Sequence, residues 1–260
     1  MSWPPYDHPG LFPPNGESPR ATYCAVCQAR PLSVCMVLSS LEMQALDSIS
    51  STHIVPAGTT LARQGDLRRY VYSVTAGALR MVRLLPDGRR QVTGFALPGD
   101  FIGLSMAQQH RHDIEALADT SVCRINLEGM KELCLRLPQL QRVLYERACE
   151  ELDEIREHMV LLARMNPTER LADFLLRLAA QQARCGNSGN ILTLQMPRAD
   201  IADHLGMTVE TVSRSLSTLR SRKLIALPET YRVVILDFDG LEELSISNHI
   251  RWPEGFNPHK

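Results

Sequence analysis

The sequence predicts an α+β chain: an antiparallel β domain, then one long helix, then a helical C-terminal third that ends in a small hairpin. Three observations carry this. Between His53 and Asn126, short β-rich runs alternate with glycine turns, the pattern of a sandwich or barrel. Between Leu140 and Ala163, apolar residues recur at helical spacing. Residues 199–214 read as a helix-turn-helix.

A length of 260 residues suffices for two modest domains with real cores. The chain is 44% hydrophobic and 22% charged, with a formal net charge of −1. Such a chain does not coat nucleic acid nonspecifically, so any DNA contact must come from a local patch. No apolar run approaches the ~18 residues of a membrane span. The start, MSWPPYDHPGLFPP, lacks a basic region followed by an apolar one, so no signal peptide is expected and a cytoplasmic location is predicted. Disulfides are disfavoured there. The seven cysteines then imply metal or redox chemistry where they cluster and buried thiols elsewhere. No nucleophile–base set, P-loop or Rossmann fingerprint is present, and no enzymatic activity is expected.

Residues 1–20 hold six prolines and read as a disordered tail, unable to bury enough apolar area to fold. Next come Cys24, Cys27 and Cys35. Three thiols so close in sequence are poor core material, but they form most of a soft-metal site. Spacing alone leaves zinc and an iron–sulfur cluster equally open. Val37, Leu38, Leu41, Met43, Ala45, Leu46 and Ile49 follow at helical spacing, with Ser39 or Ser40 as the N-cap and Glu42 in the first turn. Strands are expected at 52–55, 59–62, 70–75, 79–85, 91–96, 114–118 and 121–125. Asp87-Gly88, between two alternating runs, is the strongest hairpin signal.

In the long helix, Leu144, Ala148, Leu152, Ile155, Met159 and Leu162 recur at spacings of 4, 4, 3, 4 and 3. This is close to the 3.5-residue coiled-coil period. The helix would be roughly 36 Å long. The narrow stripe and the acidic outer face (Glu150, Glu151, Asp153, Glu154, Glu157) favour a dimer seam over a helix lying against its own barrel. Pro167 suits the first turn of a helix reaching Ala180, and Cys185-Gly-Asn-Ser-Gly189 breaks that helix. A short strand at 191–194, a hairpin of 224–227 with 232–236 and a short helix after Asp239 complete the C-terminal third.

In the helix-turn-helix, Ile201, Ala202 and Leu205 face inward, Gly206 makes the turn, and Val209, Val212 and Leu216 pack the second helix. Thr208 is placed to cap it. Its outer face offers Glu210, Ser213 and Arg214 to base edges. Arg bonds guanine O6/N7 bidentately and Glu accepts from a cytosine amine. Arg198, Arg220, Arg222 and Lys223 surround this face as phosphate contacts, with Thr208 at its edge. The bland alternative is a surface ion pair between Glu210 and Arg214.

At this level of detail the chain resembles the FNR-type (fumarate–nitrate reduction) regulators of the cAMP receptor protein superfamily. The resemblance runs from about Cys24 to Leu244. It is carried by Leu205-Gly-Met-Thr-Val-Glu-Thr-Val-Ser-Arg214, Asn166-Pro-Thr-Glu-Arg-Leu171, Leu97-Pro-Gly-Asp-Phe-Ile-Gly103 and Ala118-Asp-Thr-Ser-Val-Cys123. It implies a tail at 1–23, a cysteine-bearing arm and cyclic-nucleotide-binding-like β-roll at 24–137, a dimerisation helix at 138–165, a winged helix-turn-helix at 166–245 and a tail at 246–260. It further implies a [4Fe–4S] cluster on Cys24, Cys27, Cys35 and Cys123 that promotes dimerisation and is degraded by oxygen. It implies a homodimer on double-stranded DNA bearing a palindrome of TTGAT-like half-sites, and contact with RNA polymerase through the turn near Leu84–Arg90. Two departures stand out. The seven-residue gap between Cys27 and Cys35 matches the rhizobial and photosynthetic variant. The dimer helix carries Arg156 among its acids, so whether Asp153 and Glu154 keep the cluster-free chain monomeric stays open. The alternative is a regulator of the same fold that responds to a small molecule or redox state, its cysteines holding zinc or idle. For the fourth ligand, Cys123 ends a strand whereas Cys134 lies in a helical run, where a buried thiol is ordinary. Cyclic-nucleotide binders of the superfamily carry a glutamate after the Phe-Ile-Gly turn; here Leu104-Ser105 follows and Arg111 lacks the small residues after it. No cyclic nucleotide is expected.

Overall fold

The computed structural model describes Cys24, Cys27 and residues 29–186, 189–245 and 252. The two expected tails and the centre of the Cys185–Gly189 loop lie outside the described residues, apart from Trp252. Contacts divide the chain into two units, residues 1–90 with 94–146, and residues 91–93 with 147–260.

The first unit is built on two four-stranded sheets. One runs β1 (Ser50–Val55), β8 (Thr120–Asn126), β3 (Tyr70–Ala76), β6 (Phe101–Ile102); the other runs β2 (Thr60–Ala62), β7 (Asp113–Ala116), β4 (Leu79–Leu84), β5 (Arg90–Ala96). Val55, Tyr72, Val74, Leu79, Ala96, Ile114 and Val122 fill one core. Burial alternates along β7, as one wetted and one dry face require, whereas β3 is buried at four successive positions, Val71 to Val74. Strand β6 has two residues and was not expected, because so short a run carries no periodicity. The Asp87-Gly88 turn joins β4 to β5, with the Leu85 and Arg89 backbones hydrogen-bonded across it. Gly77 has φ +85°, and a Cβ there would meet Thr120 at 2.5 Å. No side chain fits, so glycine fixes this corner.

Two 3₁₀ turns, Arg30–Leu32 and Val34–Val37, carry the chain into α1 (Ser40–Ser48). Ser39 is the N-cap. Its hydroxyl accepts from the Glu42 amide, and the Glu42 carboxylate accepts from the Ser39 amide. After β8, Asn126 caps α2 (Leu127–Arg136) by accepting from the Gly129 amide. Helix α3 (Pro138–Arg164) extends a little beyond the predicted stretch at both ends.

In the second unit, Asn166 caps α4 (Pro167–Arg184), with Pro167 in the first turn as expected. Its inner face buries Leu171, Leu175, Leu176 and Leu178. The carboxylate of Asp173, 1% exposed, is held by Arg177 Nε at 2.7 Å and Ser245 Oγ at 2.6 Å. Helices α5 (Arg198–His204) and α6 (Val209–Ser221) form the helix-turn-helix. Strands β9 (Ile191–Thr193), β10 (Ile225–Glu229) and β11 (Arg232–Ile235) form an antiparallel sheet in the order β10–β11–β9, and α7 (Phe238–Glu242) closes the fold. This sheet is the wing. No helix among the described residues is long and apolar enough to cross a membrane.

Candidate functional site

Strand β8 is the middle of its sheet at Cys123. That residue pairs with Thr52 on β1 and with Ser73 on β3, so its backbone is held from both sides. The arm brings Cys24 and Cys35 against the same wall. Both are buried in a cluster with Val34, Leu38, Leu46, Ile125, Met130 and Leu140, against which Cys123 packs. Electrostatic influence maps who neighbours whom. Burial pushes the Cys24 thiol up to about 12, helped by a hydrogen bond with Asp47 and by Cys123 and Cys35. Burial pushes Cys123 up to about 12 as well, reinforced by Cys35 and Cys27 and opposed by a hydrogen bond with Ser50. Cys35 is raised by burial and by Cys27, while Ser33 and Arg30 pull it down. Cys24, Cys35 and Cys123 therefore share one core, and Cys27 acts electrostatically on Cys35 and Cys123.

Cys134 differs. Its thiol is raised by burial alone, with no cysteine acting on it. It packs against the edge of the same cluster as an ordinary apolar thiol. All the cysteines are free of disulfides. No group of three or more His, Cys, Asp or Glu side chains among the described residues is arranged to hold one metal ion. The thiols act on one another without forming the closed ligand set of a single ion. Four sulfur donors in such surroundings fit a soft-metal group. Held up to about 12, the Cys24 and Cys123 thiols stay protonated at neutral pH, and a cationic partner would draw off their protons. Sequence reasoning missed Asp47 and Ser50. Both lie at the junction of α1 and β1, where the Ser50 hydroxyl donates to the Asp47 carbonyl at 3.4 Å. A carboxylate directly after the buried Leu46, near the end of α1, carries no sequence signal of this kind.

Further along the roll, Arg68 is 8% exposed and donates to the carbonyls of Gly103 (2.5 Å), Ser105 (2.5 Å) and Ala107 (2.6 Å). The turn after Phe101-Ile-Gly103 is thus organised internally by a guanidinium. Arg111 and His110 border a separate, open pocket of about 610 Å³ with Arg83 and Gln64.

The predicted seam on α3 is divided. Leu144 packs into the thiol-bearing core. Leu152 (47%), Ile155 (52%), Met159 (65%) and Leu162 (36%) are exposed, and Ala148 is half-buried. Asp153 pairs with Arg156 at 2.9 Å on the exposed surface, which is worth only about 0.3–0.5 kcal/mol.

On α6, Thr208 caps the helix by accepting from the Thr211 amide. Val212, Leu216 and Leu219 face the core. Glu210 and Arg214 are exposed and Ser213 is half-buried. The Glu210 carboxyl is held below the usual range by its own backbone amide, then by Thr208, then by Arg214. Arg220, Arg222 and Lys223 are exposed around the helix end. Arg198 is half-buried and its Nη1 donates to Ser213 Oγ at 3.3 Å, which ties the start of α5 to α6.

Residues 169–244 match the model of the Crp-like helix-turn-helix domain, and residues 52–136 match that of the cyclic nucleotide-binding domain. The transcriptional activator protein Anr of Pseudomonas protegens is 39% identical over 83% of this chain and 89% of its own. The nitrogen fixation regulation protein FixK of Bradyrhizobium diazoefficiens is 35% identical over 84% and 90%, and the transcriptional activator protein FnrL of Cereibacter sphaeroides 34% over 85% and 90%. Among solved structures, FixK2 from Bradyrhizobium japonicum superposes with a TM-score of 0.71 at 34% identity, over 76% of this chain and 98% of that one. With the roll, the long helix and the winged helix-turn-helix in place, the chain belongs to the CRP/FNR family as a DNA-binding transcription regulator of the FNR type.

Proposed function

We propose that this regulator responds to oxygen, through a [4Fe–4S] cluster held by Cys24, Cys27, Cys35 and Cys123. The observation that carries the reading is that Cys24 and Cys35 share one core with Cys123 packed against it, and that Cys123 acts on Cys24 and is acted on by Cys35 and Cys27, while no cysteine acts on Cys134. When bound, such a cluster supplies redox chemistry that oxygen attacks, which zinc does not. The chain's own part is mechanical. Three thiols on the arm and one on β8 form a clasp, and the core around that clasp also contains the base of α3. Leu140 is fully buried there, with Val143 and Leu144 packed beside it. A change in the clasp is therefore felt where α3 begins.

From there the reading follows the exposed stripe. Leu152, Ile155, Met159 and Leu162 pair with a second copy, giving a homodimer. Pairing sets two α6 helices about one DNA turn apart, roughly 34–36 Å. Glu210, Ser213 and Arg214 read a palindrome of TTGAT-like half-sites, and Arg220, Arg222 and Lys223 hold phosphates. The protein works in the cytoplasm, with RNA polymerase as a partner on the DNA. The internal Arg68 contacts behind Gly103 support a roll used as scaffold and not as a cyclic-nucleotide pocket.

Iron and sulfide quantification on anaerobically purified protein tests this, alongside Cys123→Ser. About four of each per chain is expected, with a visible absorbance that bleaches in air. A colourless protein with one zinc and no iron would support the regulator of the same fold without a cluster.

A further inference from the structure

The end of α3 and the turn of the helix-turn-helix are joined by one side chain. Arg170, in the first turn of α4, donates from Nε to the Met165 carbonyl at 2.9 Å and from Nη2 to the Leu162 carbonyl at 2.9 Å. Its Nη1 donates to the Leu205 carbonyl at 3.0 Å and reaches the Gly206 carbonyl at 3.5 Å. The last carbonyls of any helix lack intrahelical partners. Here the Asn166 amide, which could have served Leu162, is committed to the Glu169 carboxylate at 2.8 Å. The Arg170 fork therefore satisfies the carboxyl ends of α3 and α5 at once, and its charge faces the negative pole of each helix.

Packing repeats the connection. His158 on α3 stacks on His204 of α5 with ring centroids 4.5 Å apart and planes 16° from parallel, and the Phe174 ring of α4 meets His204 edge-on at 6.1 Å. A Cβ at Gly206, which has φ +61°, would lie 3.5 Å from Leu162 and 3.6 Å from Arg170 Nη1. The turn thus lies beside Leu162 of α3 and the guanidinium at ordinary contact spacing.

We propose that Arg170 is a positioning residue for DNA recognition: by tying the end of α3 to the turn before α6, it fixes the angle of the recognition helix to the pairing helix. In a dimer joined along α3, that angle sets the distance between the two recognition helices. The lever is steep. Helix α6 is 13 residues long, about 20 Å. A tilt of about 10° at the turn moves its far end by roughly 3.5 Å, close to the ~3.4 Å that separates successive phosphates along the duplex axis. A tie this stiff needs a planar fork, and lysine supplies a single point of charge in its place.

The inference rests on the paired reading of α3, so the test separates the two. Full-length Arg170→Lys and Arg170→Gln are purified anaerobically and compared with the parent. Anisotropy titrations use a palindromic duplex of TTGAT-like half-sites, the same duplex with one and two base pairs inserted between the half-sites, and a duplex with a single half-site. The parent is expected to lose at least about tenfold in affinity per inserted base pair. Both variants are expected to weaken on the parent spacing and to compress that preference to within about threefold, with single half-site binding unchanged. Melting and circular dichroism check that they fold. Variants that weaken equally on every spacing, or not at all, overturn the positioning role and leave the paired reading intact. A parent that binds the single half-site as tightly as the palindrome overturns the paired reading and this inference with it.

Discussion

The two units build function in opposite ways. In the DNA-reading unit the working residues are contiguous: Thr208, Glu210, Ser213 and Arg214 fall within seven positions of one helix and its cap, with Glu210 and Arg214 facing solvent. In the cysteine-bearing unit the proposed ones are scattered, Cys24 and Cys35 buried and Cys27 and Cys123 half-buried. Cys35 and Cys123 stand at opposite ends of the roll in sequence and share one core. A recognition helix must present charge to a large partner, so its residues stay wet and the fold behind them only has to be rigid. In the proposed reading the other unit holds a redox group, which must be kept from water, so its ligands come from elements that close around it. Damage should therefore be graded by residue in the first case and all-or-none in the second.

The sharpest way to break that contrast is at the thiols. Cys123→Ser should abolish retention of iron and sulfide, whereas Cys134→Ser should keep both, measured by metal and sulfide analysis under anaerobic conditions. Equal loss in the two would show that the core, and not the quartet, holds the group. Next in size is the exposed stripe. Ile155→Glu places a charge where about 1.5–3 kcal/mol of burial per copy is expected on pairing. Sedimentation equilibrium should show dimer affinity lowered by at least about 100-fold. Undiminished dimers would place the seam elsewhere.

The same contrast governs what could be read from sequence. The helix-turn-helix was legible almost residue by residue, because its inner face, cap and outer face follow from a period of 3.6 and a Thr before a Val-Glu pair. The cap forms as expected. So were the capping box at Ser39 and the hairpin at Asp87-Gly88, which are local devices. The arm thiols were legible as a cluster. The strand end at Cys123 and the helical run at Cys134 separate the two, and the resemblance names Cys123; the structure adds that Cys123 acts on Cys24 and is acted on by Cys35 and Cys27, whereas no cysteine acts on Cys134. Asp47 beside Cys24 and Arg170 beneath the turn were not legible. Each acts through neighbours distant in sequence, on carbonyls or a thiol that no pattern announces. Leu144 shows the converse: its spacing places it in the seam, yet it packs into the core at the base of α3.

Acid should separate the units by a smaller amount. Burial, with His158 stacked beside it, holds the His204 imidazole down to about 4 from the usual 6.5. The folded form binds that proton more weakly than the unfolded chain does. The stability tied to the neutral ring is therefore fully present above about 6.5 and is lost progressively as pH falls toward 4. The shift corresponds to roughly 3 kcal/mol at most. Denaturant melts of the full chain between pH 7 and pH 4.5 should show the helical signal of the DNA-reading unit weakening, and His204→Phe should flatten that dependence. An unchanged slope in the variant would assign the acid sensitivity to other groups.

The finest grading is expected at the DNA itself. Arg214 is exposed and lies one turn from Glu210, and in the proposed reading it contributes when a guanine edge is in reach. Arg214→Ala leaves no buried charge behind and removes nothing from the core, so melting should not move. Affinity for a TTGAT-like palindrome should fall by about 1–3 kcal/mol per half-site, and preference at one base pair should relax while the others hold. Arg220→Ala, a phosphate contact in this reading, should instead weaken all sequences alike and reduce the salt slope by about one. If Arg214→Ala also weakens all duplexes uniformly, the side chain is a backbone contact. The reading face would then lie on Glu210 and Ser213, with Arg198 donating to Ser213 at 3.3 Å.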